Sequence, residues 1–352
     1  MPAYKDKKTK KWFCKFYYED FFGERQQKKK EGFEKKKDAE AWERDFLENH
    51  AKTPDITFCA LANKYLEDRK ANCSHETYRS REHDIRLYYN PYFGGKKVRD
   101  ITPLMIREWQ NILKQKENKY GRPYAQTTLK SIHVGLSAIF NFGVRFYNTP
   151  NPAAKAGSMG SSKTGEMEIY TLEEFRKLMN EAAIKDPYGV VLEVLYWSGM
   201  RIGELLALNF NDVDFYKNTI RVTKTLIGST GRIQNHPKNE GGYRTILMPK
   251  KIMKSISTYV NRMYDKVGRL FPFSHNTIRS HFYRAIDEVG LHQIRVHDLR
   301  HSQASLMIDL GYSVFAVAKR LGDTPEMILK TYGHMYKNKE QELIAKYDNL
   351  LE

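Results

Sequence analysis

Two rhythms of apolar and polar positions divide the chain. Near the start, aromatic and basic residues crowd into KKWFCKFYYED and RQQKKKEGF, short runs separated by a turn around Gly23, as expected of strands. KKDAEAWERDFLEN then takes up a helical period. Asp38 opens it, and Ala41, Trp42, Asp45 and Phe46 give it one edge. A small sheet backed by one helix is the expected product. From residue 57 to 151 the helical period dominates. TFCALANKYLEDRKANC is helical throughout, SHETYRSREHDIRLYYNPYFG begins at a capping Ser74 and ends near Pro91, and TPLMIREWQNILKQK begins at Thr102 with Pro103 in its first turn. AQTTLKSIHVGLSAIFNFGVRF reads as a fourth helix interrupted by Gly135 and Gly143, which makes a four-helix bundle.

Residues 152–167, PAAKAGSMGSSKTGEM, carry too little apolar surface for a core and read as a linker, a joint on which two domains could close around a duplex. Beyond it, TLEEFRKLMNEAAI opens at Thr171 with two acids and an apolar edge, a marked helix start. DPYGVVLEVLYWSGMRIGELLAL is helical, breaks at Ser198 and Gly199, and restarts at Arg201. The period shortens to two in DFYKNTIRVTKTLI and GRIQNHPKNEGGYRTILMP, an expected small antiparallel sheet. Helices resume with KKIMKSISTYVNRMY and HNTIRSHFYRAIDEVGL and run to a tail with Leu343, Ile344, Tyr347, Leu350 and Leu351 on one face. That tail packs either on its own domain or on a neighbour. The expected fold is α+β but mainly helical: a sheet-plus-helix module at 1–52, a bundle at 57–151, the linker, and a mixed helical domain at 168–352.

Composition adds a partner class. Fifty-nine Lys and Arg against 42 Asp and Glu give a net charge of +17, and the basic residues cluster, which points to a polyanion. The lysines at 28–30 and 35–37 lie among aromatics, suited to a DNA groove and otherwise a solvated face. In the bundle, Arg79, Arg81, Arg86, Lys130 and His133 are candidate backbone contacts. Three cysteines without metal-ligand spacing argue against a disulfide frame or zinc site, and no apolar run reaches membrane-spanning length. The expectation is a cytoplasmic protein without cofactor or metal.

The chemistry concentrates late. HDLRHSQASLMIDLGYSVFAVAKRLGDTPEMILKTYGH places His297 and Arg300 one helical turn apart, and Tyr332 about thirty residues on, in a short polar break. Two further pieces lie upstream. SGMRIGELLALNFNDVD carries Arg201 with Glu204 three residues on, able to hold the guanidinium, and HPKNEGGYRTILMP carries Lys238 in a turn. Positive groups and a lone phenol suit a phosphate held by donors and attacked by tyrosine.

In this order, from about residue 168 to 336, the four motifs resemble those of the tyrosine recombinase (phage integrase) family. The resemblance implies that Tyr332 is the nucleophile, that Arg201, Arg300 and His297 surround one DNA phosphate, and that Lys238 protonates the departing 5′ oxygen, with Lys224 the alternative for that role. It also implies that residues 1–52 bind arm-type sites, that the bundle binds core sites, and that a homotetramer forms on double-stranded DNA. An excisionase and a host DNA-bending protein are possible further partners. The expected activity is site-specific recombination for a mobile element through a 3′-phosphotyrosyl intermediate. A type IB-like topoisomerase and an inactive DNA-binding regulator are the alternatives. One position departs from the family pattern: nine residues before Tyr332, where His or Trp is usual, stands Asp323. It reads as a helix cap in the sequence Asp323-Thr324-Pro325-Glu326, with His334 a candidate replacement contact and His301 a structural neighbour.

Overall fold

The computed structural model describes residues 3–19, 24–49, 55–118, 120–162, 167–182, 184, 186–228, 230–235, 242–264, 266–337, 344, 347, 348, 350 and 351. The chain forms two compact units, Met1–Gly165 and Glu166–Glu352.

The first unit opens with an antiparallel sheet of β1 (Ala3–Lys5), β2 (Trp12–Glu19) and β3 (Arg25–Phe33), in that spatial order. Alternation along β2 buries Cys14 and Phe16 against α1 (Lys36–Asn49). The buried edge of α1 is formed by Ala39, Glu43 and Phe46, with Trp42 packing beside them, whereas Ala41 and Asp45 face solvent. The expected edge was therefore rotated by part of a turn, because Phe16 meets Trp42 and Phe46 together. On the other face of the sheet, cations lie over rings: Arg25 over Tyr17 at 4.6 Å and Lys29 over Phe13 at 4.9 Å.

A second core in this unit is built by α2 (Phe58–Asn72), α4 (Asn90–Phe93), α5 (Pro103–Gln115), α6 (Gln126–Tyr147) and α7 (Pro152–Ala156), while α3 (His75–Asp84) has no buried residue. Thr57, Ser74 and Thr102 cap their helices through side-chain oxygens. Between α3 and α4 the chain does not break but passes through a π-helical turn, Ile85–Tyr89. Helix α6 is also continuous. Gly135 and Gly143 do not interrupt it but let neighbours close in: a Cβ at Gly135 would strike the Tyr89 hydroxyl, and one at Gly143 would strike Thr149 and Leu61. The linker expectation needs correction in its first half. Ala153, Ala156 and Met159 are buried in the bundle core, and Gln110 donates to the Gly157 carbonyl at 2.8 Å. The small residues there permit tight packing rather than a tether; residues 163–166 lie outside the described set. His133 is likewise no DNA contact, since it is buried and bonded to Gln110 at 3.1 Å.

In the second unit, Thr171 and Glu174 form the expected capping box of α8 (Leu172–Glu181). Helix α9 (Tyr188–Ser198) is apolar nearly all round and lies in the largest core. It stops at Gly199, whose φ of +68° is a left-handed conformation that glycine takes without strain. Arg201 then stands just before α10 (Ile202–Leu206). Strands β4 (Val213–Asp214), β5 (Thr219–Val222) and β8 (Arg244–Leu247) form an antiparallel sheet in that order, with Ile220 opposite Ile246. A separate ribbon pairs β6 (Thr225–Leu226) with β7 (Ile233–Gln234). Helices α11 (Lys250–Asn261), α12 (His275–Val289), α13 (Asp298–Asp309), α14 (Val314–Leu321) and α15 (Pro325–Lys337) complete the unit. In the described part of the tail, Ile344, Tyr347, Leu350 and Leu351 are exposed. No helix among the described residues is long and apolar enough to cross a membrane.

Candidate active site

The site is assembled from parts of the chain far apart in sequence. The Gly199 turn presents its carbonyl to Arg300, which donates to it through Nη1 at 2.7 Å across 101 positions of sequence. A side chain at Gly199 would collide with Leu321 and Gln303, so the turn is closed by the helices that carry the rest of the site. Arg201, at the start of α10, is fixed by Glu204: Nη1 donates to Oε1 at 3.1 Å, and the Arg201 backbone N–H to Oε2 at 3.0 Å. This is the partnership that their three-residue spacing predicts.

Glu204 also serves a residue that the sequence reading passed over. Arg244 on β8 donates through Nη2 to Glu204 Oε2 at 2.7 Å and through Nε to the Arg320 carbonyl at 2.9 Å. The side chains of Arg244 and Glu204 are 6% and 4% exposed. Burial would raise the Glu204 carboxyl, but the hydrogen bonds and charge of Arg244, with those of Arg201, hold it below its ordinary value. The alternation in YRTILM, which sets Arg244 on the same strand face as the buried Ile246 and Met248, was the available signal for a buried partner. Glu204→Gln is expected to cost about 3 kcal/mol of stability, because it leaves buried guanidinium charge uncompensated. The folded-state pKa is lowered, so the contribution of Glu204 is complete above its ordinary pKa of 4.5 and fades as pH falls below it. Denaturant melts of wild type and variant should therefore differ most at neutral pH and converge in acid.

Asp323 does not cap a helix. Thr324 takes that role, its hydroxyl accepting from the Met327 backbone at 3.3 Å, one residue later than expected. The Asp323 carboxylate instead bridges two arginines: Arg201 Nη2 donates to Oδ1, and Arg300 Nη2 to Oδ2. Burial alone would raise this carboxyl, yet the charges of Arg300 and Arg201 hold it below the usual range.

His297 is the last residue before α13 rather than a member of its face. It remains exposed to solvent, yet partial desolvation of its ring, followed by the charges of Arg300 and Arg201, lowers its pKa below the ordinary value. Its ring meets that of His301 edge-on, with centroids 5.1 Å apart. His301 in turn meets the nucleophile candidate: its Nδ1 pairs with the Tyr332 hydroxyl. Burial, then the neighbouring His297, pushes His301 down to about 4, so the ring is neutral, and in the tautomer protonated at Nε2 its Nδ1 accepts the phenolic hydrogen. The i, i+4 relation between His297 and His301 on a helix start was the signal for this second histidine, which the sequence reading left as a structural neighbour.

Tyr332 lies inside α15, not in a polar break, and is 5% exposed in a core with Ile308, Val317, Leu321 and Ile328. Burial raises its phenol above the ordinary value against the opposing charge of Arg300. The structure thus gathers Arg201, His297, Arg300 and Tyr332 in one unit. Lys238 lies outside the described residues. The alternative, Lys224, is engaged with Asp212 at 2.6 Å with both side chains largely buried. His334 is exposed and lines an opening beside Tyr332 with Thr331 and Ser305, away from the guanidinium bridge that Asp323 makes.

A guanidinium cluster, two histidines and a phenol on a mainly helical framework suit chemistry at a phosphate. Comparison with known proteins agrees. Residues 168–339 match the phage integrase family, residues 57–114 the phage integrase N-terminal SAM-like domain, and residues 2–50 an arm DNA-binding domain. The chain belongs to the phage integrase family of tyrosine recombinases. It is 25% identical over 332 residues to the ICEBs1 integrase of Bacillus subtilis, spanning 88% of this chain and 87% of that one. It is 26% identical over 347 residues to the putative prophage phiRv2 integrase of Mycobacterium tuberculosis, spanning 91% and 88%. Among solved structures, the Tn1549 transposon integrase in complex with a circular intermediate DNA superposes with a TM-score of 0.69 at 19% identity, covering 82% of this chain and 99% of that one. A lambda integrase dimer bound to a COC′ core site gives 0.60 at 17% identity, covering 94% and 93%. At these identities the structural likeness speaks for the fold.

Proposed function

We propose that this protein is the integrase of a mobile genetic element and that it cuts and rejoins DNA through Tyr332. The observation that carries the reading is the Tyr332 hydroxyl paired with His301 on one side and within electrostatic reach of Arg300 on the other, inside one unit of one chain.

Arg201 and Arg300 take the non-bridging oxygens of one phosphodiester, where charge builds in the transition state, and the planar, permanently charged fork suits them to it. His297 donates to the same phosphate through a ring N–H. Tyr332 Oη attacks phosphorus while its proton passes towards His301. The bond to the 5′ oxygen breaks, Lys238 supplies the proton that oxygen needs, and a 3′-phosphotyrosyl bond remains. That bond retains the energy of the phosphodiester, so a second 5′ hydroxyl can reverse the step without ATP or a metal. The basic, ring-bearing face of β2 and β3 reads arm-type DNA, and residues 57–151 bind core sites. The exposed apolar tail seats on a neighbouring subunit in a tetramer.

The test is a plasmid carrying the two integration sites of the element that bears this gene. Site-dependent recombinants support the reading. Relaxation of plasmids lacking those sites would place the protein with the type IB topoisomerases. Binding with neither outcome would make it a regulator. DNA affinity should fall by at least tenfold between 50 and 200 mM salt, on the order expected when several phosphates are neutralised. A flat salt response in gel shifts would contradict the proposed backbone contacts.

A further inference from the structure

In this protein the seat for the scissile phosphate already holds an anion. Asp323 offers two oxygens, and one nitrogen from each of Arg201 and Arg300 closes on them. Arginine recognises carboxylate and phosphate through the same pair of parallel N–H donors, so a carboxylate bridging two guanidiniums occupies the positions that two non-bridging phosphate oxygens require. The arrangement is supported from behind. Arg300 is 4% exposed and is anchored to the Gly199 carbonyl, and Arg201 is anchored to Glu204. The front is open: the Asp323 side chain is 19% exposed and that of Arg201 39%.

Charge gives the same answer. The connected cluster has three guanidiniums, of Arg201, Arg244 and Arg300, against two carboxylates, of Glu204 and Asp323. With Asp323 in place one positive charge remains. With Asp323 displaced two remain, matching the doubly charged pentacovalent phosphorus that attack by a phenolate produces. An ionised carboxylate cannot donate to a phosphate and repels it, so Asp323 cannot play the donor's part while it stays where it is.

We propose that Asp323 is an internal stand-in for the DNA phosphate: it holds Arg201 and Arg300 in register in the free protein and must yield its place before Tyr332 can attack. The proposal rests on the assignment of Arg201 and Arg300 as phosphate ligands, and its test separates the two. The probe is inorganic phosphate, titrated into the full-length protein at constant ionic strength with sodium chloride, with thermal unfolding as the readout. Wild type should show a melting temperature that hardly moves with phosphate. Asp323→Ala should melt lower in chloride and climb back towards wild type as phosphate rises through the millimolar range. Adding Arg300→Lys to it should abolish the climb. Asp323→Asn, nearly isosteric, serves if the alanine variant does not fold and should show the same rescue at smaller amplitude. On a nicked suicide duplex at sub-saturating DNA, Asp323→Asn should form covalent adduct several-fold faster than wild type.

A phosphate response no larger in either variant than in wild type, or one that survives Arg300→Lys, overturns the proposal even if wild-type adducts form normally. Phosphate rescue in a protein that never forms an adduct supports the occupied seat and instead removes the recombinase reading.

Discussion

A chain carrying Tyr332→Phe binds its integration-site duplex with an affinity within about twofold of wild type and yields no covalent adduct. The phenyl ring keeps its place among Ile308, Val317, Leu321 and Ile328, so the fold is preserved. What disappears is the oxygen that His301 pairs with, a loss of about 1 kcal/mol in stability but of the whole nucleophile. Suicide duplexes resolved on denaturing gels read the adduct directly. Adduct at wild-type level in this variant would move the nucleophile elsewhere, and the half-buried Tyr336 on the same helix would be next in line.

Arg300→Lys should lower the rate of adduct formation by about a hundred- to a thousandfold, the range seen when one preorganised donor to transition-state charge is removed. Charge is kept, so binding to DNA should change little; geometry is lost. In the wild-type protein one arm of the fork donates to the Gly199 carbonyl and the other reaches the seat that Asp323 occupies. An ammonium on a flexible stem cannot span both. Single-turnover kinetics at saturating DNA isolate the chemical step. A rate within tenfold of wild type would mean that Arg300 holds the fold together rather than the phosphate.

Much of this architecture was legible in the sequence, and the failures share a cause. Caps at Thr57, Ser74, Thr102 and Thr171 are local chemistry, and so is the Gly199 turn; each was readable from a few neighbouring residues. Gly135 and Gly143 were misread because their reason is mostly not local: they make room for Tyr89 and Leu61, partners far along the chain, and for Thr149 just past the end of the helix. The segment after residue 152 looked like a tether by composition, yet its small side chains are what lets it lie in the bundle core.

In the site, Arg201, His297, Arg300 and Tyr332 could be named from motif order, since each sits in a short recognisable string. Asp323 could not be placed. Its local string fits a cap equally well at Asp323 or Thr324, and only the arrival of two arginines from residues 201 and 300 decides between them. The partner of Arg244 could not be named for the same reason: Glu204 is 40 positions away.

Tyr332 is mounted midway along an unbroken helix, packed against α13 and α14. A phenol on a loop could swing in and out on its own. Here the whole of α15 has to shift as a rod to withdraw it. If the proposed recombinase reading holds, control of cleavage therefore acts by pulling or pushing that rod, and the exposed Ile344, Tyr347, Leu350 and Leu351 of the tail are the natural place for a partner to take hold.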